Sequence, residues 1–191
     1  MTTQRYDVRI ERRLMEAVFE ARGPASELEA ACRAAGLAWP EQTHRMARDA
    51  QGCNLLRLGA KRIVIRAPLA LEQELRAALD SAFAAVPTAN CALVSDMTAI
   101  FCVSGPGALD VLRQGAPLDL GLPAFPQGAA TGARLWDATV IFERRAAQPH
   151  CFDILVDASY AGYVENWLRV AAGEADGDEA PGVMRAPPPA A

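Results

Sequence analysis

The sequence predicts an α+β fold in which short mixed or antiparallel sheets pack with helices. Three observations carry that expectation. Ile63-Val64-Ile65 is β-branched throughout and is stopped by Pro68, as a short strand would be. Leu71, Leu75, Leu79, Ala82, Phe83 and Val86 recur at three and four residues, the spacing of one helix face. Phe152, Ile154 and Val156 alternate just before a second helical stripe of Tyr160, Tyr163, Val164, Trp167, Leu168 and Ala171. Short strands interleaved with helices, plus a hairpin, suit a compact sandwich of the two.

The elements follow in order. Thr3 to Ala21 is rich in Arg and Glu with Leu14 and Val18 one turn apart, which reads as a partial helical stripe. Ser26 to Ala35 is a better helix: Ser26 and Glu29 stand at capping-box spacing and Gly36 supplies the stop. Pro40 holds Trp39 extended. Leu55–Leu58 and Lys61–Arg66 read as two strands around Gly59-Ala60, and Leu69–Val86 as a helix ended by Pro87. Cys91–Ser104 is an extended pair or one bent strand, and Ser104-Gly105-Pro106-Gly107 opens the next helix with Pro106 in its first turn. Pro117–Gly132 is a long Pro/Gly-rich loop in which Leu118, Leu120, Leu122 and Phe125 can pack. Arg134–Arg144 reads as one strand, Arg145–His150 as a hairpin connection, Phe152–Asp157 as the next strand and Ser159–Ala172 as the closing helix.

The expected organisation is an N-terminal helical segment over 1–36, an α+β domain over 37–172, and a disordered acidic, Pro/Ala-rich tail over 173–191. A chain of 191 residues holds one large domain or two small ones, at roughly 100–200 residues each. The net charge of −4 argues against a nucleic-acid partner. No run of about 20 apolar residues predicts a membrane helix, and Met1–Arg13 lacks the apolar core of a signal peptide. Five dispersed cysteines without a C-x-x-C pair read as reduced, buried thiols of a cytoplasmic protein. Lys61 is the lone Lys, every other base is Arg, and Ala is abundant, which points to a GC-rich bacterial genome.

Residue chemistry predicts neither an independent catalyst nor a metal centre. His44 and His150, the two histidines, have no ligand spacing around them and read as surface or turn residues. Gly105-Pro106-Gly107 could offer N–H groups to an anion at a strand-to-helix turn, but lacks the third Gly of a dinucleotide loop and reads better as a tight turn. Cys102 alternates within a strand and reads as a core thiol; Cys151 and His150 are sequence neighbours on opposite strand faces and do not make a nucleophile–base pair. The acidic tail residues Glu174, Asp176, Asp178 and Glu179 lack the spacing of a calcium loop. Tyr160, Trp167 and the loop residues Leu118, Leu120, Leu122 and Phe125 are the candidate partner contacts, since Tyr and Trp anchor interfaces. Trp39 and Trp136 carry the same ambiguity between core and interface.

Three stretches also carry a family likeness. Phe101-Cys102-Val103-Ser104-Gly105-Pro106-Gly107-Ala108-Leu109-Asp110-Val111-Leu112, the loop Gly115-Ala116-Pro117-Leu118-Asp119-Leu120 with Pro123-Ala124-Phe125-Pro126-Gln127-Gly128, and Phe152-Asp153-Ile154-Leu155-Val156 with Ser159–Leu168 resemble the γ subunit of heterotetrameric sarcosine oxidase. The loop is the specific part; the Gly-Pro-x-Ala block also occurs in folate-binding aminomethyltransferases. The resemblance implies a fold related to the glycine-cleavage T-protein. It implies an assembly role without catalytic or cofactor residues on this chain, beside α, β and δ subunits that carry FAD, FMN, NAD and tetrahydrofolate. That complex demethylates N-methyl amino acids oxidatively and passes the one-carbon unit to folate. Leu93 stands where the family has Asp, and Leu56–Ile63 lacks the Pro, acidic pair and second Trp of the family's block, which implies a related substrate such as N-methylglutamate. The alternative is a free-standing folate-binding protein of one-carbon transfer.

Overall fold

The computed structural model describes residues 5–174. Two five-stranded antiparallel sheets lie face to face, and each carries a pair of helices on its outer face. In the first sheet, β1 (Arg9–Arg12), β7 (Thr98–Ser104), β10 (Cys151–Asp157), β9 (Ala138–Ala146) and β8 (Ala130–Leu135) follow one another in that spatial order. The second runs β3 (Arg45–Arg48), β4 (Asn54–Arg57), β5 (Arg62–Ala67), β2 (Ala17–Arg22), β6 (Asn90–Leu93). Helices α3 (Ala108–Arg113) and α4 (Ala161–Ala172) cover the first sheet; α1 (Ala25–Ala34) and α2 (Glu72–Ala84) cover the second. The sheets also touch at one edge, where Met46 N–H donates to Gly128 O and Ala130 N–H to His44 O.

Period-two alternation assigns each strand residue to a layer. In β5, Ile63, Ile65 and Ala67 pack under α1 and α2, whereas Val64 faces the opposite sheet. Burial on both faces is why this strand reads as an unbroken β-branched run. In β10, Phe152, Ile154 and Val156 face α3 and α4, and Leu155 faces inward between the sheets. The inter-sheet core is thin: Val18, Leu56, Leu58, Val64, Ile100, Ala130, Ile141 and Leu155 fill it.

The N-terminal segment differs from the expected helix. It forms β1 and β2, which pair with β7 and with β5 and β6 respectively, so this segment supplies one strand to each sheet. The Leu14–Val18 spacing that suggested a helix is coincidental, because Ala17, Phe19 and Ala21 alternate with Val18 and Glu20 across β2. Helix α1 forms as expected, but Pro24 is its N-cap and Ser26 makes no capping bond; Gly36 at φ +80° ends it. Pro106 precedes α3 rather than entering its first turn, since Gly107 is the N-cap. Cys91–Ser104 is a strand pair split between the sheets. Arg134–Arg144 is not one strand: the chain reverses at Trp136-Asp137, with Trp136 at φ +49°, and β8 pairs with β9. The expected tail over 173–191 lies outside the described residues apart from Gly173 and Glu174.

Candidate functional site

Charge gathers between the sheets at one end of the inter-sheet layer. Arg66 of β5, Glu143 of β9 and Asp153 of β10 are fully buried. The Arg66 guanidinium donates to both oxygens of Glu16 at 3.0 Å and to Glu143, and pairs with Asp153 Oδ2 at 2.9 Å. Asp153 also accepts from Arg13 at 2.9 Å and from Arg145 at 3.2 Å. Three guanidinium groups therefore meet three carboxylates, and the cluster is neutral when all are ionised. Burial opposes the charge on Arg66, but Glu143, Asp153 and Glu16 outweigh it and hold the group firmly protonated. Burial, aided by Asp153, lifts the Glu143 carboxyl above its ordinary range despite Arg66 and Arg145; its Oε1 lacks a hydrogen-bond donor.

This cluster fixes the short crossing from β1 to β2. Arg13 and Glu16 are its anchored ends, and Arg13 N–H donates to Ile100 O at 2.8 Å. Between them, Leu14 is 91% exposed and Met15 61% exposed. Leu69 is also exposed, and with Pro68, Leu14, Met15 and Cys102 it lines an open cleft of about 380 Å³. Apolar side chains held outward by a buried ion cluster form a knuckle that a partner's apolar surface could cover, worth roughly 1.5–3 kcal/mol per fully buried side chain.

At the other end of the same layer lies a cleft of about 260 Å³. Val18, Val64, Ile141 and Leu155 form its apolar floor, and Glu20, Arg62, Thr98 and Asp157 its polar rim. Glu20 takes both a bidentate bond from Arg62 and a 2.6 Å bond from Arg22. Burial raises the Glu20 pKa, but those bonds overcome it and hold the carboxyl below its ordinary value.

The residues expected to contact a partner are not brought together. Leu120 and Phe125 are buried in this chain's own core. Arg144, fully buried behind the loop, donates to Leu120 O, approaches His150 Nδ1 at 3.2 Å and lies over the Phe152 ring at 4.4 Å; burial lowers its pKa. Contrary to the expectation, Leu120 and Phe125 present no surface to a partner, because the loop folds onto its own sheet. Leu118 is half-buried against the same core, and Leu122 is half-exposed.

Tyr160 is half-exposed, and Trp167 stacks on Trp136 at 6.0 Å, with Tyr163 edge-on to both Trp167 and Tyr160. Gly115 makes this row possible, since a Cβ there would lie 2.4 Å from the Trp136 ring. Trp39 is core, beneath the Arg57 guanidinium.

The remaining candidates resolve individually. The N–H groups of Gly105 and Gly107 donate to His150 O and Asp7 O at 2.9 Å, so this turn does not cradle an anion. His44 is exposed and reaches Thr131 at 3.0 Å. Cys102 is half-buried rather than a core thiol, because it faces the rim of the ion cluster. Among the described residues, no group of three or more His, Cys, Asp or Glu is placed to hold a metal, and no helix is long and apolar enough to cross a membrane.

The buried ion cluster escapes a sequence reading because alternate charged positions on a strand ordinarily face water. The usable signal is that Arg66, Glu143 and Asp153 each share a face with an apolar neighbour two residues away, Val64, Ile141 and Leu155.

No family model and no curated protein sequence matches this chain. Solved structures do. The heterotetrameric sarcosine oxidase from Corynebacterium sp. U-96, in complex with pyrrole 2-carboxylate, includes a chain that superposes with a TM-score of 0.78 at 24% identity. That match covers 87% of this chain and 84% of that one. The glycine cleavage system aminomethyltransferase T from Bartonella henselae superposes with a TM-score of 0.62 at 16% identity over 88% of this chain and 49% of that one, so this chain spans about half its length. The expected α+β class, with antiparallel sheets, helices and a relation to the aminomethyltransferase fold, is the fold found.

Proposed function

We propose that this chain is a non-catalytic assembly subunit, of the γ type, in a heterotetrameric flavin-dependent oxidoreductase that demethylates N-methyl amino acids and passes the one-carbon unit to tetrahydrofolate. The observation that carries the reading is a likeness over most of both chains: 87% of this chain matches 84% of one chain of a heterotetrameric enzyme, at a TM-score of 0.78. The Gly115–Leu120 and Pro123–Gly128 motifs, which resemble the γ subunit, point the same way. In this reading FAD, FMN, NAD and tetrahydrofolate sit on α, β and δ partner chains, and the Leu14–Met15–Leu69 knuckle is a contact with one of them. Fixed geometry favours that use, because Arg13 and Glu16 hold the crossing from both sides and little ordering entropy is lost on docking.

Affinity capture of the tagged chain from its native host tests this. The expected eluate is yellow, with flavin absorbance and larger chains at fixed stoichiometry. A colourless single chain overturns the reading. The second reading, a free-standing folate-binding protein, draws on the likeness to the aminomethyltransferase and on the cleft between the sheets. Titration of the isolated chain with tetrahydrofolate separates the two: saturable binding favours it, and no heat or spectral change removes it.

A further inference from the structure

At the outer rim of the ion cluster two thiols meet. Cys102 of β7 lies opposite Asp153 of β10, and Cys151 is two residues along β10 on the same face. Their sulfurs are 3.7 Å apart, neither is in a disulfide, and both side chains are partly exposed. Cys102 lines the open cleft beneath Leu14 and Met15, together with Arg12 and Arg13. A small oxidant can therefore reach it. Cys151 opens β10 at an irregularity in the β9–β10 ladder, and the sulfurs have to close from 3.7 Å to a bond of about 2.05 Å.

We propose that Cys102 and Cys151 are a redox-sensitive dithiol, which hydrogen peroxide converts into an intrachain disulfide joining β7 to β10. The Cys102 thiolate attacks one peroxide oxygen, the O–O bond breaks, and the displaced oxygen leaves as water after taking a proton. Cys102 then carries a sulfenic acid. The Cys151 thiolate attacks that sulfur, the S–S bond forms, and the hydroxide released leaves as water with the proton Cys151 gave up. Two thiols are oxidised by two electrons, and one peroxide is reduced to two waters. Burial, then Cys102 and Asp153, push the Cys151 thiol up to about 11. Cys102 lines the open cleft and meets peroxide first, which leaves Cys151 the resolving role. Cys32 and Cys53 are buried in the core under α1 and α2, out of reach of peroxide, and burial pushes the Cys91 thiol up to about 12, which slows its ionisation.

The test uses the reduced full-length chain, treated with hydrogen peroxide, alkylated with N-ethylmaleimide and mapped by mass spectrometry. The expected result is loss of two of the five alkylatable thiols, one Cys102–Cys151 cross-linked peptide, and full reversal by dithiothreitol. C151S should hold Cys102 as a dimedone-reactive sulfenic acid, and C102S should leave Cys151 unmodified. Retention of all five thiols overturns the proposal. So does a link to Cys32, Cys53 or Cys91, or a purely intermolecular dimer. The wild-type map decides the matter even where a variant folds poorly, and its outcome is independent of whether the chain joins a complex.

Discussion

Replacing Arg66 with Met should be the most damaging single change in the inter-sheet layer. The substitution keeps a long apolar stem but removes the cation that three carboxylates share. Charges about 4 Å apart attract by about 4 kcal/mol at an effective dielectric of 20, so the gross electrostatic loss over three pairs is large. Much of it is recovered, because Glu16 is partly exposed and can rehydrate, and because Arg13 and Arg145 still face Asp153. The net expectation is the cost of breaking a buried pair, about 3–5 kcal/mol, against a total stability of about 5–15 kcal/mol. Urea denaturation followed by circular dichroism reads this as a fall in midpoint. The loss should shrink at lower pH. Removing Arg66 raises the folded-state pKa of Glu143 further above its unfolded value; that stabilising contribution is fully present below the unfolded pKa and is lost as pH rises through the folded one. A midpoint change worth less than about 1 kcal/mol at neutral pH, the range of an exposed pair, or a loss that grows on acidification, would refute the reasoning.

Further outcomes follow from the same geometry. Gly115→Ala puts a Cβ 2.4 Å from the Trp136 ring; it should lower stability by about 1–3 kcal/mol and change the near-ultraviolet dichroism of the Trp136–Trp167 stack, and an unchanged spectrum would count against the packing described. Leu120→Ala should cost about 2–5 kcal/mol, while Leu122→Ala, half-exposed in the same loop, should stay within about 0.5 kcal/mol; equal effects would mean the loop does not fold onto its own sheet. Glu20 is held below its ordinary value of 4.5, so its contribution is present above that value and is lost as pH falls through the folded pKa. Thermal midpoints taken between neutral and acid pH should accordingly fall less steeply for Glu20→Gln than for wild type.

Much of the architecture is legible in the sequence where periodicity and layer agree. β5 and α4 are examples, one β-branched and buried on both faces, the other a stripe on one face. Legibility fails where a second sheet replaces water as the neighbour. The Arg/Glu richness of the first 22 residues suggests a solvated helix, yet Arg13 and Glu16 are charged because they end in a buried cluster. The Trp136-Asp137 reversal lacks the Asn-Gly or Asp-Gly chemistry of a short hairpin; the turn is fixed instead by Trp136 N–H donating to Gly115 O at 2.8 Å and by the ring against Gly115. The Leu-rich loop misleads in the opposite direction, since its apolar residues complete this chain's core through Arg144 rather than waiting for a partner. The exposed Leu14 and Met15 carry no periodic signal, because what turns them outward is an ion cluster assembled from four distant segments.

The central claim, assembly through the knuckle, is tested most directly by paired capture from the native host with wild type and with the Leu14→Glu, Met15→Glu double variant. Both positions are exposed, so the variant should melt with the wild type, within about 0.5 kcal/mol. The account predicts that wild type retains flavin-bearing partner chains and that the variant, equally folded, loses them at least tenfold. Equal recovery of flavin-bearing chains by both proteins, or none by either, would contradict it.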